Sequence, residues 1–279
     1  MYPKKELAQI LISACHQFKI ETVVISPGSR NAPLTIGFSN HSDIETFSIV
    51  DERCAAFYAL GIAQQTQKPV AILCTSGSAL LNYYPAIAEA FYSNIPLVVL
   101  SADRPKHLID IGDGQTIRQE NVFENHILFS ANLIENPKFK TRNSQLIGEA
   151  LQIATSNKGP VHINIPFDEP LYETVSVLED FHFPRISMSS LDNSHVDYSF
   201  FADIWNSAKK KIILVGVNFP DQKINELIHF YAEDTSVLIL TETTSNIHHT
   251  NVVDSIDQLI FSLNEPEFKE LQPEVLITF

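Results

Sequence analysis

TVVISPGSRNAP, residues 22–33, is the stretch that decides the fold. Thr22, Val23, Val24 and Ile25 make a short apolar run that reads as a buried strand. Ser26-Pro27-Gly28-Ser29 breaks the run with a Pro-Gly turn, and a helix is expected to start near Asn31. Strand, tight turn and helix in succession form the repeating unit of a parallel α/β sheet. The turn also carries backbone N–H groups and Arg30 to a helix N-terminus, which suits an anion. A plain βα turn with a solvated arginine fits the same residues equally well.

Working outward, Leu7, Ile10, Leu11, Ala14 and Phe18 recur at helical spacing before the strand. Further short apolar runs follow at residues 45–50, 70–74, 97–100 and 161–165, with helical patterns at 51–65 and 79–93 between them. The runs are nearly all apolar rather than alternating, as expected of strands covered by helices on both faces. Residues 181–198 turn polar and read as a linker. A first domain over 1–180 and a second α/β series over 199–279 are therefore expected. The last strand of that series, at 274–279, has no closing helix after it, so more chain is expected to follow.

Composition narrows the partners. The 279 residues carry 33 acidic and 19 basic side chains, a formal charge of -14, which argues against nucleic acid and against an anionic membrane surface. No apolar run has the length of a membrane span and no signal peptide opens the chain, so a cytoplasmic location is expected. Cys15, Cys54 and Cys74 lack metal-site or disulfide spacing and, each lying in an apolar stretch, read as buried free thiols. His162 reads as a core or edge residue, and His248 and His249 as solvated loop residues.

Ligands of open parallel sheets bind beyond the carboxyl ends of the strands. That rule singles out residues 26–30, 51–53, 75–78 and 101–104 as one candidate site. Asp51 reads as an N-cap with Glu52 in the first helical turn; spacing alone makes Glu52 an ordinary helix-start acid. Thr75-Ser76-Gly77-Ser78 is a tight loop offering hydroxyls and backbone N–H groups; it is not a hydrolase elbow, since the GxSxG spacing fails. Arg104 and the Gln115 region have the chemistry to grip a carboxylate, or Arg104 simply pairs with Asp103 or another local acid.

ISPGSRNAPL, VDERCAAFYALGIA, CTSGSALLNYYPA, SADRP, DGQTIRQ and HINIPFDEPLY occur in this order. Together they closely resemble the 2-succinyl-5-enolpyruvyl-6-hydroxy-3-cyclohexene-1-carboxylate synthase family of menaquinone biosynthesis, strongly over residues 1–175 and weakly beyond. The resemblance implies an α/β, parallel-sheet thiamine-diphosphate pyrimidine-binding domain followed by part of a central α/β domain. It implies that Glu52 contacts the aminopyrimidine and exchanges a proton with it. It puts Pro27, Gly28, Thr75, Ser76 and Gly77 at the cofactor, and Ser29, Arg30, Arg104 and Gln115 at the substrates, 2-oxoglutarate and isochorismate.

A homo-oligomer is implied as well, with Mg²⁺ or Mn²⁺ in the full-length enzyme. No metal ligand is assigned within this chain, and the 279 residues alone are expected to bind cofactor weakly and to be inactive. Gly112-Asp113-Gly114 with Asn143 imitates the diphosphate motif of these enzymes. It is rejected because it lacks the strand before it, and because the ordered match puts it in the substrate loop, where Asp113 departs from the expected small residue. Another thiamine-diphosphate carboligase or 2-oxo-acid decarboxylase, a non-catalytic module of the same fold, and, more distantly, a nucleotide-binding Rossmann domain are the alternatives. The last lacks a GxGxxG after its first strand.

Overall fold

A computed structural model describes residues 1–179, 181–183 and 197–279. The chain divides into two compact units, Met1–Met188 and Ser189–Phe279. The linker expected at 181–198 lies for the most part outside the described residues.

The first unit opens with β1 (Tyr2–Pro3) and α1 (Glu6–Gln17), followed by β2 (Thr22–Ile25), α2 (Ala32–Ser39), β3 (Glu45–Ser48), α3 (Glu52–Thr66) and β4 (Val70–Cys74). Then come α4 (Tyr84–Tyr92), β5 (Leu97–Asp103), β6 (Phe129–Asn132), α5 (Lys140–Asn157), β7 (Val161–Pro166) and β8 (Thr174–Val175). Among the described residues six strands form one sheet in the order β3-β2-β4-β5-β7-β6. Every pairing in it is parallel. β1 and β8 pair antiparallel outside it.

Alternate residues of each strand face opposite layers. Val23, Ile25, Ala71, Leu73, Val98 and Leu100 join α1, α2 and α5 in one core. Val24, Ile72, Cys74, Leu97 and Val99 join α3 and α4 in the other. This two-sided burial is why the strands read as unbroken apolar runs.

Two local expectations need correction, and one strand lies outside the expected runs. β6 has no apolar run: it is an edge strand in which only Ala131 is fully buried. The helix expected at 79–93 begins as a 3-10 run, Gly77–Tyr83, and becomes α-helical only at Tyr84. Pro85 has no N–H to bond back four residues, so the α-helical register starts afresh around it. Cys15 and Cys74 are buried as expected, but Cys54 is exposed, on the solvent side of the first turn of α3. Burial holds the Cys15 thiol pKa at about 12.

The second unit contains α6 (Ser199–Ser207), β9 (Lys211–Val215), α7 (Gln222–Ala232), β10 (Val237–Thr241), β11 (Val252–Val253), α8 (Ile256–Ile260), α9 (Glu265–Leu271) and β12 (Val275–Thr278). Its described strands form a parallel sheet, β11-β10-β9-β12, over a core of Ile213, Val215, Ile228 and Ile239. His249 is not a solvated loop residue: its ring lies 4.7 Å from that of His229 and its Nε2 is 3.5 Å from Glu233. No helix among the described residues is long and apolar enough to cross a membrane.

Candidate functional site

The chain runs from β2 outward to β3, then returns to β4 on the other flank of β2. That reversal leaves a crevice beyond the carboxyl ends of β2 and β4, where open α/β sheets take their ligands. The loops following those two strands meet there. A Cβ on Gly28 would lie 2.5 Å from Thr75 Cβ, so only glycine permits this approach. Asn31, fully buried, holds the first loop in shape: its Oδ1 accepts from Gly28 N at 2.9 Å and its Nδ2 donates to Ser26 O at 2.9 Å. Ser26 Oγ donates to Ile49 O at 2.9 Å, tying the loop to the end of β3. Pro27 and Ser29 are exposed on the loop.

α3 starts in the same crevice. Asp51 caps it by accepting from Cys54 N at 2.9 Å, the local arrangement its sequence position suggests. Glu52 follows in the first turn, half-buried, with no hydrogen bond or ion pair among the described residues. Its negative charge adds to burial in raising the pKa of the Cys74 thiol, and it contributes to the rise at the Tyr83 hydroxyl, behind burial and Cys74. α3 packs on β4 and on the 3-10 run that ends at the fully buried Tyr83, close enough for the charge of Glu52 to act on both groups.

The 75–78 loop is held from the other side by the segment after β5. Gly77, at φ +85°, donates its N–H to Gln119 Oε1 at 2.7 Å. Ser76 Oγ donates to Gln115 O at 3.3 Å, and Gln115 Nε2 donates to Ser76 O at 3.0 Å. Gln115 is thus bound to the loop bearing Thr75 and Gly77. Gln119, also fully buried, donates to Asn164 Oδ1 at 2.9 Å and to Ala102 O at 3.1 Å. Asn164 Nδ2 in turn donates to Asp103 Oδ2 at 2.8 Å. Burial raises the Asp103 pKa against the pull of Asn164 and the Arg104 N–H. Ser101 Oγ links Asn164 to His162, whose complete burial holds its pKa down at about 3.

Arg30 and Arg104 lie near enough for their charges to act on each other. Burial, then the like charge of Arg104, lowers the Arg30 pKa, while Glu169, Asp168 and Asp113 oppose that. Arg30 is 5% exposed; Nη1 donates to Phe167 O at 2.7 Å and Nη2 lies 3.2 Å from Glu169. Arg104 Nη1 lies 3.3 Å from Asp113 Oδ2, and Nη2 donates to Gly114 O at 3.4 Å. The Nε atoms of both arginines are buried without a hydrogen-bond partner among the described residues. Beside Arg104 opens a cavity of about 650 Å³ lined by Asp103, Lys106, His107, Arg142 and Asp168.

Asn143 is occupied elsewhere, bonding the Ile134 backbone through both ends of its amide. Among the described residues no group of three or more His, Cys, Asp or Glu is arranged to hold a metal ion.

Residues 5–128, from α1 through the loops and into the segment after β5, match the family described as thiamine pyrophosphate enzyme, N-terminal TPP binding domain. Over these residues the chain is similar to the N-terminal domain of the thiamine pyrophosphate enzymes. It is 56% identical to the 2-succinyl-5-enolpyruvyl-6-hydroxy-3-cyclohexene-1-carboxylate synthase of Flavobacterium psychrophilum, over 100% of this chain and 50% of that protein. The synthase of the same name from Flavobacterium johnsoniae is 55% identical over 100% and 50% of the two chains. That of Christiangramia forsetii is 50% identical over 100% and 52%. The chain spans about half the length of the curated relatives it matches.

Sequence reasoning missed Asn31, Ser101, Gln119 and Asn164. Ser101 and Asn164 signal themselves only as polar residues inside otherwise apolar strands, where a polar side chain must find a partner, and Asn31 and Gln119 lie in loops with no such signal.

Proposed function

We propose that this chain forms the cofactor-activating part of a thiamine-diphosphate-dependent carboligase that joins decarboxylated 2-oxoglutarate to isochorismate. The observation that carries the reading is Glu52, a carboxylate without a partner among the described residues, in the crevice between the 26–31 and 75–78 loops. The residues around it suit an aminopyrimidine. Gly28 lets the two loops close on each other, the 75–78 loop offers polar groups, and Glu52 offers a carboxylate free to pair with a ring nitrogen.

Thiamine diphosphate, when bound, supplies the electron sink for decarboxylation of the 2-oxo acid and for the carbon–carbon bond formation that follows. Glu52 holds a proton on its carboxyl and exchanges it with the pyrimidine nitrogen it pairs with. Pro27, Gly28, Thr75, Ser76 and Gly77 line the ring's site. Arg30 and Arg104, each with a vacant Nε, take the carboxylates of the two substrates by forked hydrogen bonds. Ser29 adds a hydroxyl on the exposed side of Arg30. Gln115, bonded to Ser76, bridges the ring's site and the carboxylate site.

The domain identities belong to the same reading: a pyrimidine-binding domain over 1–180, a linker over 181–198 and part of a central domain over 199–279. So do a divalent metal, Mg²⁺ or Mn²⁺, in the full-length enzyme, a cytoplasmic location and a homodimer. Exposed Val50, Phe57, Tyr58 and Leu81 around the start of α3 and before α4 support a second copy on that side. The same reading gives the 279 residues by themselves weak cofactor binding and no turnover.

The test is Glu52→Gln in the full-length protein, assayed with 2-oxoglutarate and isochorismate and, separately, with pyruvate. Turnover of the first pair, lost in the variant with cofactor binding retained, is the expected result. Unchanged turnover in the variant removes Glu52 from the mechanism, and a preference for pyruvate reassigns the substrate class.

A further inference from the structure

The loop after β5 carries an acid that the reaction does not require. Asp113 lies between Gly112, at φ +81°, and Gly114, and a Cβ added at either glycine would meet nothing within 4 Å. The stretch is therefore loosely packed at both flanks of Asp113. Its carboxylate nevertheless points inward: Oδ2 is buried and lies 3.3 Å from Arg104 Nη1. The contact is a charge pair and not a hydrogen bond, because neither Asp113 Oδ2 nor Arg104 Nε has a hydrogen-bond partner. The side chains are 25% and 34% exposed, Arg104 first, and Asp113 also acts on Arg30.

We propose, resting on the assignment of Arg104 to a substrate carboxylate, that Asp113 is a built-in placeholder for that carboxylate and sets the selectivity of the site. In the free protein it neutralises Arg104, which avoids leaving a half-buried cation unpaired. Its single off-axis contact is weaker than the two parallel hydrogen bonds that a correctly oriented carboxylate makes to Nε and Nη. A ligand that engages the fork therefore displaces Asp113, and the loop can yield because the space beside Gly112 and Gly114 is open, with the long bond from Arg104 Nη2 to Gly114 O as the remaining tie. An anion that offers charge without the fork gains little over Asp113 and is held off. The residue thus filters the anions that the arginine pair would otherwise collect indiscriminately.

The test uses this chain and two probes, glutarate as a five-carbon dicarboxylate and inorganic phosphate as an unselective anion, each titrated calorimetrically. Asp113→Asn keeps the side chain's shape and removes its charge. Glutarate is expected to bind the variant about two- to five-fold more tightly, the worth of an ion pair of this exposure. Phosphate should gain at least as much, so the preference for glutarate over phosphate falls. In the full-length enzyme the same substitution lowers KM for the dicarboxylate and leaves kcat within about two-fold. Equal or weaker glutarate binding by the variant, or none detectable, overturns the proposal. Arg104→Ala separates the two ideas. If it abolishes glutarate binding while Asp113→Asn has no effect, only the placeholder falls. If it leaves binding and full-length turnover intact, the assignment of Arg104 falls as well.

Discussion

Replacing Gly77 with alanine should break the joint between the two halves of the site, and its cost can be worked from two separate causes. At φ +85° a residue with a Cβ is strained by about 1–2 kcal/mol. The new Cβ would also lie 2.7 Å from Gln115 Cγ and 2.8 Å from the Gln115 carbonyl oxygen. A side-chain tip can swing aside, but that carbonyl accepts from Ser76 Oγ, so backbone has to move, at a further cost of about 1–3 kcal/mol. The sum for Gly77→Ala is about 2–5 kcal/mol. Two other glycines isolate the parts. Gly112 has φ +81° and open space, so Gly112→Ala costs the strain alone, about 1–2 kcal/mol. Gly28 meets Thr75 without a positive φ, so Gly28→Ala costs packing alone, about 1–3 kcal/mol, and Thr75→Ala cannot rescue it because Thr75 Cβ is the closest atom. Native-state hydrogen exchange of amides in β4 and α3 reads this unit by itself, and the three variants can be ranked on it. Equal costs for Gly77→Ala and Gly112→Ala would refute the reasoning, because the Gln115 contact would then carry no energy.

Other perturbations test the buried layer beneath the site. Gln119→Leu strands the Gly77 N–H and takes one of two donors from the Asn164 amide oxygen, which keeps Ser101 Oγ, and is expected to cost about 1–3 kcal/mol in urea denaturation; a cost below about 0.5 kcal/mol would mean that water replaces the glutamine. Asn31→Ala removes both ties across the 26–31 loop, and a loss of about 1–3 kcal/mol is expected, with exchange at the Gly28 amide accelerated. His162 is held neutral, its pKa near 3 against an ordinary 6.5, so between those values the unfolded chain binds the extra proton. Stability should therefore fall as pH drops below about 6.5, by at most about 1.4 kcal/mol per pH unit from this residue. His162→Gln should flatten that part of the stability–pH curve, and an unaltered slope would show that the ring does not govern it.

The strands at 22–25, 70–74 and 161–165 were readable because burial on both faces writes an unbroken apolar run into the chain. β6 was not, because an edge strand with one fully buried residue has no such run. Asp51 was readable as a cap because it bonds an amide only three residues on. The 3-10 entry to α4 escaped, since a periodic apolar pattern fits either kind of turn.

The candidate site divides along the same line. Gly28, Glu52, Thr75 and Arg104 stand out in the sequence because each follows the end of a strand, and strand order in a parallel sheet brings such loops to one edge. Their partners do not stand out. Gly77 finds Gln119 across 42 residues, Arg30 finds Phe167 across 137, and Ser101 finds His162 across 61. The sequence by itself determined the alternation of strands and helices, the caps and the loops that turn toward the crevice, all of which follow from interactions among near neighbours. Only the tertiary structure decided that Gln115 is bound to Ser76, that Asp113 faces Arg104, and that Glu52 is left without a partner among the described residues. Those outcomes depend on which distant groups compete for the same polar atoms once the apolar faces have closed and water has been excluded.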